Sequence, residues 1–387
     1  MANGKLVGLF AGIGGLEVGL HPYGWGTELF CEIDPGAQAV LRTRFPDVPV
    51  WDDVGDLDAL PEATDMVTAG FPCQDLSQAG RTAGIGGSKS GLVEHVFRLV
   101  DPEPGPRWLL IENVPFMLQL DRGRAMRHLT AELEDLGYDW AYRVVDARAF
   151  GRPQRRWRVL MLASRTEDPR EVLFGQDAGE PPAADPDEHG CGFYWTEGTR
   201  GLGWAVDAVP TLKGGSTVGI ASPPAVRLTG GRGLVTPGIT DAEWLQGFDR
   251  DWTRPALDAG LRPGHRWRLV GNAVSALMSD WIGHRLTHPE PYDGRNDQPL
   301  QPGDPWPTAA WGRDRVAHRV DTSMWPIRAH DYVHIQDALD EPRELSARAT
   351  AGFLRRARSS KLRFVDGFLD DVAAHLEHMG GDPARVG

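Results

Sequence analysis

The chain has 387 residues, 41% of them hydrophobic, so it can bury a sizeable core as one large domain or two smaller ones. No stretch approaches the apolar run of a membrane span, and Met-Ala-Asn-Gly-Lys leads straight into a strand without a signal-peptide profile, so a cytoplasmic protein is expected. Cys31, Cys73 and Cys191 lie too far apart for a disulfide framework or a paired zinc spacing, and no metal is expected. The net charge of −13 weighs against a nucleic-acid partner, yet it is uneven: acids crowd 47–65 and 167–188, while 152–158 and 355–363 are basic. Net charge therefore decides little.

Residues 5–165 alternate short apolar runs with amphipathic stretches, which predicts an α/β fold of strand–helix–strand units on a parallel sheet. The candidate strands are Leu6–Phe10, Glu28–Cys31, Met66–Ala69, Trp108–Ile111, Ala141–Val145 and Val159–Ala163. The first runs into Phe10-Ala11-Gly12-Ile13-Gly14-Gly15, where glycines before a helix let a ligand approach the backbone. Glu32 ends the second strand, where a carboxylate can hold a ribose diol, and Asp53 ends the next unit, within reach of an adenine amino group. This pattern alone fits NAD, FAD or S-adenosylmethionine (SAM) equally, and also a plain turn with solvated acids.

Gly70-Phe71-Pro72-Cys73-Gln74-Asp75-Leu76-Ser77 follows a strand and puts Cys73 at the carboxyl edge of the sheet. A thiolate there could add to C6 of a pyrimidine and make C5 nucleophilic; a buried loop cysteine is the plainer reading. Glu112, closing the strand that ends Ile111-Glu112-Asn113-Val114, could bond N3 and the exocyclic amine of cytosine. A helix follows Asp121, with Met126, Leu129, Leu133 and Leu136 on one face and Gly137 as its stop. In Gln154-Arg155-Arg156-Trp157-Arg158 an extended backbone points Arg156 and Arg158 to the same face, towards a base O2 or a phosphate; solvated surface arginines are the alternative.

Past Ser164 the pattern dissolves into Gly-, Pro- and Asp-rich sequence as far as residue 235. Helices are predicted around Ile239–Phe248, Asn272–Leu286, Ser346–Ala357 and Asp366–His378, with a Pro/Gly-rich stretch over 288–326. No internal repeat is visible.

The ordered blocks Phe10–Gly15, Glu32, Asp53, Pro72-Cys73-Gln74, Glu112-Asn113-Val114, Gln154–Arg158 and Gly271-Asn272-Ala273-Val274 resemble the C5-cytosine-specific DNA methyltransferase family. The resemblance covers roughly residues 5–165 and 235–286. It implies a Rossmann-like SAM-dependent methyltransferase sheet with a second, smaller DNA-recognition region. Carried over position by position, it makes Cys73 the nucleophile, Glu112 the group at the N3 edge and Arg158 the one at O2, with Arg156 supporting. Phe10, Ala11, Gly12, Ile13, Gly14, Gly15, Glu32, Ile33, Asp53, Val54, Pro72, Leu92 and Asn272 fall at cofactor positions. The family flips its target base from the duplex, so double-stranded DNA is the expected partner, in a bacterial modification or defence system with a cognate restriction protein. A monomer associated with the nucleoid is expected.

The implied domains are 1–165 with 236–287 for catalysis, 166–235 for target recognition, and a C-terminal extension over 288–387. This sequence departs from the family at Asp75-Leu76 and at Ala273, and its segment between Arg158 and Ile239 is short. In the extension, Arg348, Arg355, Arg356, Arg358, Lys361 and Arg363 suggest a helix closing over the DNA backbone, or else a solvated helix. Three rival readings are a transfer-RNA cytosine methyltransferase, a catalytically silent DNA-binding relative, and an amino methyltransferase. The last is suggested by Ser222-Pro223-Pro224, but Ala225 lacks the ring that would stack on a flipped base.

Overall fold

The computed structural model describes residues 4–72, 91–197, 199, 201–214 and 221–386. The chain forms two compact units. Unit 1 comprises Met1–Phe150, Trp157–Glu180 and Ala273–Arg328, and unit 2 comprises Gly151–Arg156, Pro181–Asn272 and Ala329–Gly387. No described helix is long and apolar enough to cross a membrane.

Unit 1 is built on β1 (Gly4–Leu9), β2 (Trp25–Cys31), β3 (Val50–Trp51), β4 (Thr64–Ala69), β5 (Trp108–Asn113) and β6 (Asp139–Asp146). After β7 (Gln154–Arg155), which belongs to unit 2, comes β8 (Trp157–Ser164). The order β3-β2-β1-β4-β5 is parallel throughout, in register Leu9 with Cys31, Leu9 with Ala69, and Ala69 with Ile111. All six residues of β5 are buried, as a continuous apolar run predicts for a strand covered on both faces.

The parallel expectation fails beyond β5. β8 inserts antiparallel between β5 and β6, and the strands Ala309–Arg313, Val316–Arg319 and Gln298–Pro299 extend that edge, also antiparallel. Only ten residues link β6 to β8, too few for the crossover a parallel pair requires. Every candidate strand nevertheless lies on an observed one.

Helix α1 (Gly15–Leu20) leaves the β1 loop and packs on the helix Ala276–Thr287. A Cβ at Gly19 would collide with Ser279 and the Asp280 backbone, so only glycine allows that approach. Ser279 Oγ then donates to Gly15 O at 2.8 Å. Helices α2 (Pro35–Arg44), α3 (Leu92–Val100) and α4 (Arg124–Asp135) follow. α4 is the helix read from Met126, Leu129 and Leu133, all fully buried, and Gly137 behind it has φ 81°. The helix expected over 272–286 is two: Pro263–Asn272 ends in unit 2, and extended Ser275 opens Ala276–Thr287 in unit 1.

Unit 2 holds a five-stranded antiparallel sheet in the order Ala205–Val206, Cys191–Phe193, Ala225–Arg227, Leu234–Thr236, Arg343–Glu344. Phe193, Ala225 and Leu234 pack against Phe353, Leu354 and Ala357 of the helix Ala347–Arg358 and Phe368, Val372 and Leu376 of the helix Phe368–His378. Buried His375 ties these layers: its Nδ1 accepts from Leu234 N at 3.2 Å and its Nε2 lies 2.8 Å from Leu345 O, which fixes the proton on Nε2. Residues 239–272, placed with the catalytic segment on sequence, group here with 329–387, whereas 288–328 joins the large sheet.

Two arginines of the basic tail serve the fold and are not free for a ligand. Arg356 donates to Trp195 O at 2.7 Å and Glu197 O at 3.0 Å, and Arg358 to Pro383 O and Val386 O. Their helix packs on the sheet, so its arginines divide between carbonyls and solvent. Arg348, Arg355, Lys361 and Arg363 are exposed.

Candidate active site

Parallel pairing brings the carboxyl ends of β1, β2, β4 and β5 to one edge of unit 1, so the residues that follow each strand become neighbours. After β1, Phe10, Gly12 and Gly14 take φ of 54°, 56° and 84°, and the loop closes through Gly14 N to Ala11 O at 2.9 Å. A Cβ on Gly12 would meet nothing within 4 Å, so its outer side is open. Gly15 begins α1, and Ile13 is buried in the core.

Glu32, after β2, anchors this loop. Its Oε2 accepts from Gly12 N at 2.7 Å and its Oε1 from Asp34 N at 2.7 Å. Burial pushes its carboxyl above the ordinary range, and the two backbone donors oppose that shift. Beside it, Ile33 is 70% exposed and Trp51, opposite Cys31 on β3, is 44% exposed. Two large apolar side chains left in water around a carboxylate are an unfinished surface. Ile33 falls at a cofactor position by the resemblance, whereas Trp51 belongs to no motif and its one signal in the sequence is an aromatic beside Asp52 and Asp53.

Asp53 is exposed and caps the next turn, accepting from Gly55 N at 2.8 Å. Val54 is a core side chain, so only its backbone can face a ligand. Leu92 begins α3 partly buried, and Pro72 is exposed. Asn272 lies in unit 2 as the last residue of Pro263–Asn272.

Cys73 lies outside the described residues, but its approach does not. Asn113 Nδ2 donates to Phe71 O at 2.9 Å, and Asn113 Oδ1 accepts from Val114 N at 2.9 Å, so the end of β5 pins the chain two residues before Cys73. The two described cysteines are held as thiols: burial, aided by nearby Glu32, Asp53 and Asp52, pushes Cys31 up to about 12, and burial pushes Cys191 up to about 11.

Glu112 is 7% exposed and its Oε1 lies 2.6 Å from Arg158 Nε. That oxygen has no aligned hydrogen bond among the described residues, so the contact is a charge pair that leaves bonding capacity on the carboxylate. Antiparallel pairing of Asn113 with Val159 puts Arg158 beside Glu112. Arg156 and Arg158, expected on one face, fall in different units. Arg156 lies between β7 and β8 in unit 2, buried, and donates to Leu212 O at 3.4 Å and Gly271 O at 3.3 Å. Its neighbour Gln154, fully buried, accepts from Leu212 N and donates to Leu245 O. Arg155 donates to Gly203 O and Trp204 O. A run that reads as a basic patch is mostly internal scaffolding.

The description C-5 cytosine-specific DNA methylase matches residues 4–187. The Type II methyltransferase M2.BsuMI of Bacillus subtilis (strain 168) is 50% identical over 380 residues, covering 95% of this chain and 97% of that protein. The chain belongs to the C-5 cytosine-specific DNA methylase family. It is a DNA (cytosine-5-)-methyltransferase of restriction–modification type. The Type II methyltransferase M.MspI of Moraxella sp is 32% identical over 305 residues, 73% of this methyltransferase and 70% of that one. The solved structure of the S. pombe Dnmt2 methyltransferase superposes with a TM-score of 0.51 at 15% identity, over 73% of this chain and 98% of that one, a likeness of fold alone. The C5 methyltransferase family thus has its Rossmann-like sheet here in unit 1.

Proposed function

We propose that the protein moves a methyl group from SAM to C5 of a cytosine flipped out of double-stranded DNA, through a covalent bond between Cys73 and C6. The observation that carries this reading is the Glu112–Arg158 pair, nearly buried at the carboxyl edge of the sheet, with Asn113 pinning the strand end that leads to Cys73.

The edge fits the donor: Glu32 sits between exposed Ile33 and Trp51, with an open glycine loop beside it. Phe10–Gly15, Glu32, Asp53, the Val54 backbone, Pro72 and Leu92 of unit 1 would hold SAM, whose sulfonium supplies an electrophilic methyl. On the protein's side, the Cys73 thiolate forms the S–C6 bond while Glu112 shares a proton with N3, and the electron pair displaced from the C5–C6 double bond leaves C5 nucleophilic. Arg158 holds O2. After methylation, loss of the C5 proton expels the thiolate and restores the ring. Arg156 is a positioning residue, bonded to the carbonyl one residue before Asn272.

Cys73→Ala abolishes methyl transfer from labelled SAM while leaving SAM binding nearly intact, and wild type forms a stable adduct on 5-fluorocytosine DNA, visible by intact mass. Full activity in that variant would sink the mechanism. Exposed Arg348, Arg355, Lys361 and Arg363 are proposed to meet the DNA backbone.

A further inference from the structure

Unit 2 contains a cluster that the methyltransferase chemistry does not use. His189, Asp207 and His334 each offer a donor atom, and the three atoms lie within 4.8 Å of one another. Three segments meet there: Asp207 N donates to Gly190 O at 2.8 Å, Tyr332 Oη donates to Asp207 O at 2.7 Å, and Ile335 N donates to Asp207 Oδ1 at 3.0 Å. These bonds hold Asp207 at φ 51°, a conformation a non-glycine residue adopts only when its surroundings impose it. Asp207 Oδ2 and His334 Nδ1 are 2.7 Å apart. The His189 ring stacks on that of His334, with centroids 4.8 Å apart and planes 12° from parallel.

This arrangement leaves one buried polar atom unanswered. His189 Nδ1 is shielded from solvent and has no hydrogen-bond partner among the described residues. Stranding an imidazole nitrogen is unfavourable, and an Asp–His pair serving only to cap the helix Ile335–Ala338 would not need a second imidazole laid against it. Two imidazoles and a carboxylate are the donor set that zinc and its neighbours take, with water completing the shell.

We infer that His189, Asp207 and His334 bind a divalent transition-metal cation, Zn²⁺ foremost. Adjacent donors around tetrahedral zinc stand about 3.3 Å apart, so the cluster must close by on the order of 1 Å. His334 can supply that movement, because its side chain is 49% exposed. Coordination through the nitrogen now facing Asp207 moves the His334 proton to its outer nitrogen, and Asp207 Oδ1 keeps the Ile335 amide as its orienting partner. The ion would join the segments around residues 189, 207 and 334, which are linked by no nearby sequence. That separation hides the set from any spacing motif.

The test uses the full-length protein, stripped with a chelator and titrated with Zn²⁺ in competition with a chromophoric chelator. One Zn²⁺ per chain is expected, with at least tenfold weaker binding in His189→Ala and in His334→Ala. Saturating Zn²⁺ should raise the wild-type Tm by a few degrees, on the order of 2–4 °C, and leave both variants unmoved. His334→Ala removes a half-exposed ring, so its circular dichroism should match wild type. Binding and Tm responses equal in wild type and both variants, or no binding in wild type, overturn the proposal and leave an Asp–His helix cap.

Discussion

The two units solve the problem of placing polar residues differently. In unit 1 Gly12, Glu32 and Glu112 lie at or just past the carboxyl ends of parallel strands, so strand order alone brings them to one edge. In unit 2 the strands are two or three residues long, and buried or half-buried side chains do the connecting: Gln154, Arg155, Arg156 and Arg356 all bond carbonyls far away in sequence. Backbone pairing fixes the first arrangement, and it tolerates changes in the side chains presented at its edge. The second depends on particular side chains, each of which leaves stranded backbone groups when removed.

That contrast can be broken most severely at Gln154. Gln154→Ala strands Leu212 N and Leu245 O in the interior, each worth about 1–3 kcal/mol, and should lower stability by roughly 2–4 kcal/mol in denaturant titration. A change below 0.5 kcal/mol would show that unit 2 does not rely on these bonds.

Unit 1 also buries polar side chains, among them the carboxyl of Glu17. Burial pushes its carboxyl from 4.5 up to about 7, only partly opposed by the Thr68 hydroxyl, which donates to it at 2.6 Å. The folded value lies above the unfolded one, so its contribution is fully present below about pH 4.5 and is lost as pH rises through 7. Glu17→Gln should therefore be more stable than wild type at pH 8, by up to about 3 kcal/mol, and show no such gain at pH 4. Thermal melts across that range check the sign, and a larger gain at pH 4 than at pH 8 contradicts it.

Glu32→Ala sharpens the comparison at the site. It removes the acceptor for Gly12 N and the proposed ribose ligand together, and SAM affinity should fall by roughly 1–3 kcal/mol in calorimetry. Unchanged affinity refutes the assignment.

The smallest effect is expected on the tail. Changing Arg348, Arg355, Lys361 and Arg363 together to Gln should weaken DNA binding and flatten its salt dependence by about one unit of log–log slope per lost contact. The methylated sequence should stay the same. An unchanged slope marks a solvated helix, and a changed sequence marks base readout.

Much of unit 1 was legible because its apolar runs are long enough to show a period. Six candidate strands and the helix after Asp121 lie on observed elements. The antiparallel insertion of β8 was not legible, because direction follows from the length of the β6–β8 link and not from the pattern. Gly271 reads as part of a motif, but its reason is spatial: a Cβ there would collide with the backbone of Lys213 and Gly214. Two-residue strands such as Arg343–Glu344 carry no period at all, and the split duties of Arg156 and Arg158 depend on partners 56 and 115 residues away for the first and on Glu112 for the second.

The chain passes between the units at residues 150/151, 156/157, 180/181, 272/273 and 328/329. Neither unit is therefore a cassette. A graft of 181–272 from a relative would arrive without the Gln154 and Arg156 that bond Leu212, and without the strand Arg343–Glu344 that completes its sheet. Hybrid enzymes exchanging unit 2 must move 151–156, 181–272 and 329–387 as a set. For the same reason, natural recombination with a single crossover inside this gene would separate partners that have to change together.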